Sequence, residues 1–280
     1  MTGGILSNLD KIDVLEMVAE NFQGSSKGRL RSFKTLGSEV PLILHGVSMG
    51  LASTYPVETK RLEGMARLME ALRPETWSEH LSFVRAGGIE IGHLAAPPRT
   101  FENIQGSLEN LGRAARVVGC RPALENIATL VQPPVSTMDE PTWVGGILEG
   151  SDCPFLLDLH NLYANALNIG EDPLEYLERF HLDRVQMVHL SGGRWISNPQ
   201  APEPGARRWL DDHLHDVPDP VFKLLEVVAR RTAGSLTIIL ERDGNYPSFE
   251  SLLGQLELAR RAVQAGVDHR NSSPEMAGVS

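Results

Sequence analysis

Hydrophobic residues along the chain form short, nearly continuous runs, separated by longer segments in which apolar residues recur every three or four positions. The short runs predict eight strands, because buried parallel strands are apolar along most of their length. In residue numbers these strands are 13–18, 40–44, 76–80, 122–126, 155–160, 185–190, 208–213 and 236–242, of which 208–213 has the weakest pattern.

The longer segments predict amphipathic helices between the strands. Residues 56–72 have apolar side chains at positions 62, 65, 68, 69 and 72, a stripe with the period of an α-helix. Residues 103–118 and 220–231 have similar spacing, with Asp219 as N-cap and Pro220 as first helical residue of the latter, and a last helix is predicted at 249–265. The alternation predicts an α/β fold, a closed TIM-type (β/α)8 barrel rather than an open sheet.

Two segments do not follow this alternation. Residues 192–207 are rich in Gly and Pro, have no helical period, and are interpreted as a long loop of the kind that often carries function. From position 269 onward the residues are mostly small and polar. We therefore expect one domain over 1–268 and a disordered tail over 269–280.

Composition narrows the class of protein. The chain has 26 basic and 36 acidic residues, a net charge of −10, which argues against a nucleic-acid partner because such a partner needs a basic surface. No apolar run reaches the length of a membrane span, and the N-terminus lacks the features of a signal peptide, so a soluble, cytoplasmic protein is expected. The two cysteines, Cys120 and Cys153, form no disulfide framework and are expected to be buried small residues.

Side chains that can bind metal ions stand at the carboxyl ends of most predicted strands. They are His45, His80, Glu125, Asp158, His189 and Glu241, with Asp211 and His213 two positions apart near the strand 208–213. In a barrel the carboxyl ends of the strands meet at one mouth, where active sites collect. Eight such groups would repel one another or be poorly solvated without cations, so the pattern predicts a site for several metal ions.

Each of these residues alone is weak evidence, because a His or Asp after a strand is usually a turn former or a hydrogen-bonded polar group. The recurrence at six of eight strands is the informative feature, and mixed N and O donors without thiolate suit Zn, Fe or Mn. His160 and His215 stand beside ligand positions and are interpreted either as proton donors or as partners of the ligands. His93, His181 and His269 follow no strand.

Seven segments occur in the order typical of one enzyme family. They are LHGVS at 44–48, SEHLS at 78–82, LENI at 124–127, LDLHNLY at 157–163, VHLSG at 188–192, DDH at 211–213 and LERDGNYP at 240–247. Together they resemble the multinuclear non-heme iron-dependent oxidative enzymes (MNIO), formerly a family of unknown function. Glu16 and Glu20 after the first strand also fit, and the resemblance covers about 13–247.

The resemblance implies a xylose isomerase-like barrel that holds two or three irons of mixed Fe(II)/Fe(III) state and uses O₂ as co-substrate. Members of that family modify ribosomally synthesised precursor peptides. Some convert Cys into oxazolone, thioamide or related groups, and others cleave or oxidise Asp or Asn. For this chain it implies a precursor peptide as substrate and a small partner protein that presents the peptide.

The order of ligands also resembles the trinuclear zinc site of endonuclease IV-type AP endonucleases, and this likeness divides the residues among three metals. It assigns His45, His80 and Glu125 to one metal with Glu125 bridging, Asp158, His189 and Glu241 to a second, and Asp211, His213 and Asn161 to a third. Asn161 stands where the endonucleases have His, and an amide is a weaker ligand, so a labile or partly filled third site is implied. Gly193 replaces a His that many relatives carry. His160 and Asp243 are the candidate catalytic residues.

Three other functions fit the sequence less well. Metal-dependent hydrolysis of abasic DNA is disfavoured by the acidic charge and by the scarcity of Lys and Arg near the strand ends. A sugar isomerase needs a Lys or His base and carboxylate-rich metal sites, which the His-rich pattern fits poorly. A non-catalytic metal-storing or peptide-binding module would require a saturated coordination shell, and sequence does not exclude it.

Overall fold

The computed structural model describes residues 2–86, 88–198, 201, 203 and 205–272. The strands are β1 (Leu15–Val18), β2 (Leu42–Gly46), β3 (Thr76–His80), β4 (Phe83–Ala86), β5 (Ile89–Ala95), β6 (Ala123–Glu125), β7 (Phe155–Asp158), β8 (Val185–Leu190), β9 (Gly193–Ser197), β10 (Arg207–Asp211) and β11 (Thr237–Leu240). The helices are α1 (Thr2–Leu6), α2 (Lys27–Leu36), α3 (Thr59–Leu72), α4 (Phe101–Val118), α5 (Glu140–Ser151), α6 (Leu159–Ile169), α7 (Pro173–Leu177), α8 (Asp219–Arg231) and α9 (Phe249–Ser272). Short 3-10 helices occur at Leu9–Lys11, Ala19–Phe22 and Leu182–Arg184.

Within the described residues, seven strands form one sheet in the order β1-β2-β3-β6-β7-β8-β11. The pairs with a recorded register are parallel, for example β2 with β3 and β8 with β11. These strands coincide with seven of the eight predicted strands, and the predicted bounds 76–80 and 185–190 are the observed ones. Apolar runs therefore identified the strands of the main sheet.

The prediction that 208–213 is a strand of this sheet is wrong. This segment contains β10, which pairs antiparallel with β9 in a separate two-stranded sheet, Asp211 lying opposite Gly193. Residues 192–207, interpreted as a loop, therefore contain a strand. No residue of β9 is buried, and no apolar run marks this strand in the sequence.

Three predicted boundaries also need correction. The strand predicted at 155–160 ends at Asp158, and α6 begins at Leu159. The last helix continues past position 265 to Ser272, so the first positions of the expected tail are helical, whereas 273–280 lie outside the described residues. In α8 the N-cap is Pro218, and Asp219 is already helical.

The described chain divides into two compact units, Thr2–Leu156 and the part from Leu157 onward, with the division inside β7. In the first unit every residue of β2 is buried. Four positions of the predicted α3 stripe, Leu62, Met65, Leu68 and Leu72, are buried as well. α3 packs on α4, and α4 packs on α5.

In the second unit α8 packs along α9 beside the parallel pair β8 and β11. The two helices are in close contact at Gly266, where a Cβ atom would lie 2.2 Å from the carbonyl oxygen of Glu226. A larger residue at this position would force the helices apart.

Two expectations from composition can be compared with the structure. Cys153 is buried as expected, but Cys120, just after α4, is exposed. None of the helices in the described ranges is long and apolar enough to cross a membrane.

Candidate metal centre

The first unit brings three predicted ligands together at the carboxyl ends of adjacent strands. His45 in β2, His80 in β3 and Glu125 in β6 are 3%, 8% and 1% exposed. The register of β3 and β6 places His80 opposite Glu125. The ligand atoms of the three side chains lie within 4.8 Å of one another. We call these three residues the first ligand group.

The distances in the first ligand group fit a shared metal ion better than direct hydrogen bonds. Glu125 Oε2 lies 3.5 Å from His45 Nε2 and 3.4 Å from His80 Nε2. Two ligands bound at about 2.1 Å to one ion, at angles between a right angle and the tetrahedral angle, lie about 3.0–3.4 Å apart. Two imidazoles and a carboxylate at this spacing therefore fit a transition-metal ion.

Each imidazole of this group is oriented through its second ring nitrogen. His45 Nδ1 lies 2.8 Å from Ser78 Oγ, and His80 Nδ1 lies 3.2 Å from the carbonyl oxygen of Gly46. Because a carbonyl can only accept, His80 carries its proton on Nδ1 and presents the Nε2 lone pair on the side of Glu125. Partners of this kind fix the tautomer and the ring orientation of ligating histidines.

Two further carboxylates support the loop that follows β2, and sequence analysis missed Glu79. Glu79 is fully buried, and its carboxylate accepts the N–H groups of Met49 at 3.3 Å and His80 at 3.1 Å. Burial raises the pKa of Glu79 although the hydrogen bond and charge of His80 lower it, and the charge of Glu20 adds to the rise. Glu20 Oε1 accepts a hydrogen bond from the Ser48 hydroxyl at 2.6 Å.

The second unit contains another group, formed by Asp158, His213 and Glu241, whose ligand atoms also lie within 4.8 Å of one another. We call these residues the second ligand group. His213 has a left-handed backbone with φ of 53°. Its N–H donates to the carbonyl of Gly192, and its carbonyl accepts from the N–H of Asp243, both at 3.0 Å. Strained backbone persists only where surrounding contacts hold it, and such residues cluster at functional sites.

Glu241 lies between two imidazoles. Its Oε1 is 3.1 Å from His189 Nδ1, and its Oε2 is 3.4 Å from His213 Nδ1. His189 is fully buried in β8. The resemblance instead implies that His213 shares a metal with Asp211 and Asn161. In the structure His213 turns Nδ1 towards Glu241 and Nε2 towards Asp211.

Asp211 also lies between two imidazoles. Its Oδ1 is 2.6 Å from His160 Nδ1, and its Oδ2 is 3.0 Å from His213 Nε2. Burial alone would raise the pKa of Asp211, but these hydrogen bonds lower it to about 2. Burial alone would lower the pKa of His213, but hydrogen bonds to Asp211 and Asp243 raise it to about 12. A metal ion must therefore displace a proton from His213 in order to bind there.

The remaining predicted residues lie around this second group. Asn161 is buried in the first turn of α6, and its N–H donates to Asp158 Oδ1 at 2.7 Å, so Asp158 caps this helix. Asp243 has a side chain that is 76% exposed, with Oδ2 3.4 Å from His213 Nδ1. His215 is 42% exposed in its side chain and pairs with Asp212. That Asn161 binds a metal stays a prediction.

Known proteins resemble this chain along nearly its whole length. The family described as RiPP precursor modification enzyme MbnB/TglH/ChrH matches residues 1–264. A UPF0276 protein of Streptomyces avermitilis is 33% identical over 261 residues, which are 90% of this chain and 51% of the relative. One of Caulobacter vibrioides is 31% identical over 255 residues, 91% of this chain and 88% of the relative. The chain thus spans about half the length of the Streptomyces relative and most of the Caulobacter one.

Solved structures share the fold. A xylose isomerase domain protein from Planctomyces limnophilus has a TM-score of 0.54 and 13% identity, covering 95% of this chain and 92% of that one. D-psicose 3-epimerase from Clostridium cellulolyticum H10 has a TM-score of 0.53 and 10% identity, with coverage of 95% and 92%. At such identities the likeness shows the fold alone. It confirms the predicted α/β class, a xylose isomerase-like TIM barrel.

Proposed function

Because the chain belongs to the family of RiPP precursor modification enzymes described as MbnB/TglH/ChrH, we propose that it is a multinuclear non-heme iron-dependent oxidase or oxygenase. It uses O₂ to modify a Cys, or an Asp or Asn, of a ribosomally synthesised precursor peptide. The observation that carries this proposal is the first ligand group, two buried His and one buried carboxylate with ligand atoms within 4.8 Å. Two His and one carboxylate are the donors that non-heme Fe(II) oxygenases use.

The donor set distinguishes iron from several other metals. Oxygen donors alone would favour Mg²⁺ or Ca²⁺, and four thiolates would favour a structural zinc. Among the described residues both ligand groups combine imidazole with carboxylate and contain no cysteine. This mixture suits a redox-active iron that keeps open positions for a substrate.

We assign the residues to metals as the resemblance implies. The first ligand group holds one iron, and Asp158, His189 and Glu241 hold the second. Asp211, His213 and Asn161 hold a third that is only partly filled, since the amide of Asn161 is a weaker donor. The two oxygens of Glu241, each near a different imidazole, support its place between sites.

Bound iron would supply activation of O₂ and an anchor for a substrate thiolate or carboxylate. The chain supplies orientation, charge and exclusion of water. Ser78 and the Gly46 carbonyl hold the two imidazoles of the first ligand group in position. The side chains of the first ligand group are 8% exposed or less, which keeps competing water away from them. Asp243 is the proposed catalytic residue, because its exposed carboxylate beside His213 can exchange a proton with a bound peptide.

The peptide substrate and the partner protein belong to the proposal as well. The family description names a RiPP precursor as the molecule that these enzymes modify. We propose that a small partner protein presents the precursor to the ligand groups. The net charge of −10 disfavours nucleic acid as the alternative substrate.

The test is metal analysis of protein purified without O₂, followed by reaction with the precursor peptide encoded beside its gene. We expect bound iron, O₂ uptake that depends on the peptide, and a peptide mass that reports oxidation. Full occupancy by zinc, with no O₂ uptake and a peptide or DNA product of hydrolysis, would overturn the proposal in favour of a hydrolase.

A matched pair of variants localises the activity. Glu125→Gln removes the carboxylate of the first ligand group, so the affinity of this group for iron and the rate of O₂ uptake should both fall by at least about tenfold. Glu70→Gln makes the same change on the exposed face of α3 and should leave both unchanged. Normal iron binding by Glu125→Gln would show that the first ligand group holds no metal.

A further inference from the structure

In the second unit Trp209, His160 and Asp211 form a continuous chain of hydrogen bonds. The indole N–H of Trp209 donates to His160 Nε2 at 2.9 Å. His160 Nδ1 lies 2.6 Å from Asp211 Oδ1. His160 is fully buried in the first turn of α6, whereas Trp209 and Asp211 belong to β10. These hydrogen bonds therefore connect α6 to the two-stranded sheet of β9 and β10.

The partners of His160 determine its tautomer. An indole N–H can only donate, so His160 Nε2 must carry a lone pair. Nδ1 then carries the proton and donates it to the carboxylate of Asp211. Both ring nitrogens are used, and His160 cannot bind a metal or protonate a substrate while these bonds persist. These contacts therefore favour the interpretation of His160 as a partner of the ligands, whereas a catalytic role for His160 stays a prediction.

Trp209 is itself held from several sides. The backbone N–H of Trp209 donates to Asn168 Oδ1 at 2.7 Å, and the backbone carbonyl of Trp209 accepts from Asn168 Nδ2 at 2.9 Å. The rings of Tyr163 and Trp195 pack edge-on against the indole, with centroids at 5.5 Å and 5.4 Å. Packing and hydrogen bonds of this kind lock a side chain in one rotamer, so the indole N–H has a fixed direction.

The absence of a side chain at Gly193 makes this chain of bonds possible. A Cβ atom at position 193 would lie 2.7 Å from His160 Cε1 and 2.9 Å from Trp209 Nε1. Any larger residue would push the imidazole and the indole apart. The contact between Trp209 and His160 therefore requires a glycine at position 193.

The bonds to Asp211 divide its two carboxylate oxygens between different partners. Oδ1 faces His160 and also accepts from Ser191 Oγ at 3.3 Å. Oδ2 faces His213 Nε2 at 3.0 Å. Two atoms 3.0 Å apart can bind one ion at about 2.1 Å with an angle near a right angle.

We propose that Trp209 and His160 are positioning residues that fix the Asp211 carboxylate, so that Oδ2 and His213 Nε2 form a preformed pair of metal ligands. This inference rests on the proposed function insofar as a metal binds there. The physical basis is pre-organisation, because a ligand whose orientation is fixed by a hydrogen bond loses less freedom when it binds the ion.

The first test examines the tautomer in metal-free protein and does not depend on activity. Two-bond ¹H–¹⁵N NMR spectra should show His160 protonated at Nδ1 and unprotonated at Nε2. Trp209→Phe removes the indole N–H and keeps an aromatic ring, so the preference for this tautomer should weaken. Trp195→Phe alters the ring that packs on Trp209 and should leave the His160 signals unchanged. A His160 protonated at Nε2 in the unaltered protein would overturn the proposal.

The second test measures metal affinity by anaerobic titration with Co(II), whose visible spectrum reports its ligands. His160→Asn places an amide N–H close to the position of Nδ1, whereas His160→Gln places it close to Nε2. We expect the affinity of one class of Co(II) site to fall by roughly 10–100-fold in His160→Gln and in Trp209→Phe. In His160→Asn the affinity should stay much closer to that of the unaltered protein. Thermal melts of the metal-free variants control for folding.

The outcomes show whether His160 orients the Asp211 carboxylate or only fills space, and they do so independently of the proposed reaction. Equal loss in His160→Asn and His160→Gln would show that the ring only fills space, and unchanged affinity in both would show that Asp211 needs no support. Either result would overturn this inference. If the tautomer and the affinities behave as expected but no peptide is oxidised, the inference stands and the proposed function fails.

Discussion

At the scale of single residues, the first ligand group depends on a close approach between two strands. Gly46, the last residue of β2, has its Cα beside the Glu79 carboxylate, and a Cβ there would lie 2.3 Å from Glu79 Oε2. The same glycine offers its carbonyl to His80 Nδ1. One position without a side chain therefore leaves room for a buried carboxylate and also orients a ligand.

Gly46→Ala should destabilise the protein by about 1–3 kcal/mol, because the new methyl group must displace buried atoms. Gly64→Ala is the matched change in α3, where the nearest atoms to a new Cβ are 3.9 Å away. It should stabilise by roughly 0.5–1 kcal/mol, as expected for Gly to Ala inside a helix. Urea unfolding monitored by circular dichroism measures both, and equal stability of the two variants would contradict the predicted crowding.

Asn161 gives a second prediction at this scale. If its amide is a weak ligand of a third metal, Asn161→His should raise the number of irons bound per chain, because imidazole is the stronger donor. Asn271→His, on an exposed part of α9, should not change the count. Metal analysis of the purified proteins decides the matter. Three irons at full occupancy in the unaltered chain would show that the amide is an adequate ligand.

At the scale of elements, the connection between β6 and α5 is anchored by one arginine. Arg99 Nη1 donates to Gln132 Oε1 at 2.8 Å, and Nη2 donates to Thr129 Oγ1 at 3.3 Å and lies 3.5 Å from Glu140 Oε2. The Arg99 carbonyl also accepts from the N–H of Thr137 at 3.0 Å. This connection follows the carboxylate of the first ligand group, so Arg99 limits the motion of a loop next to the candidate metal centre.

Arg99→Met should lower the free energy of unfolding by about 3–5 kcal/mol, because it removes the guanidinium 3.5 Å from the buried Glu140 carboxylate. The double variant Arg99→Met/Glu140→Gln should recover part of this loss, since the side chain at position 140 is then neutral. Arg67→Met removes an exposed ion pair with Glu63 and should cost no more than about 1 kcal/mol. Unfolding free energies from urea titrations test the series, and a double variant less stable than Arg99→Met would contradict the argument.

Sequence patterns predicted strands where apolar residues follow one another and failed where polar residues interrupt them. The strands of the main sheet are apolar and were found, but β5 is mostly exposed and the β4–β5 pair was missed. Leu159 prolongs the apolar run of β7, so the strand was predicted to continue to position 160 although α6 begins at Leu159. A Ser, Thr, Asp or Asn before a helical period signals an N-cap, and Asp158 before α6 was such a signal.

In the candidate site too, some residues could be predicted from the sequence and others could not. Residues at or near strand ends were predicted as ligands. The structure places six of them in the two ligand groups, and His189 lies beside Glu241. Contacts made across strands could not be predicted, because they depend on register. Ser78 faces His45 only because β2 and β3 pair with these residues opposite each other. Glu79 gave a weak signal, as a carboxylate inside an otherwise buried strand.

At the scale of the whole molecule, burying the charged ligands lowers the stability of the folded state, and bound metal ions would offset this effect. The chain already has a net charge of −10, and Glu125 and Asp158 are 1% and 0% exposed. Buried carboxylates are unfavourable unless hydrogen bonds, cations or protons compensate them. Metal binding should therefore contribute to the stability of the folded chain as well as to catalysis.

This argument predicts that removing the metal lowers the melting temperature. A ligand at 100 times its Kd stabilises the folded state by about 2.7 kcal/mol, and each kcal/mol raises the melting temperature of a chain of this size by roughly 2–4 °C. Loading the metal-free protein anaerobically with Fe(II) should thus raise its melting temperature by roughly 5–10 °C. Glu241→Gln, which removes a carboxylate near two imidazoles, should show a smaller rise, whereas Glu70→Gln should respond like the unaltered chain. Differential scanning calorimetry under nitrogen measures these shifts. Identical melting of the metal-free and Fe(II)-loaded proteins would mean that the clustered His and carboxylate side chains are satisfied by one another rather than by metal ions.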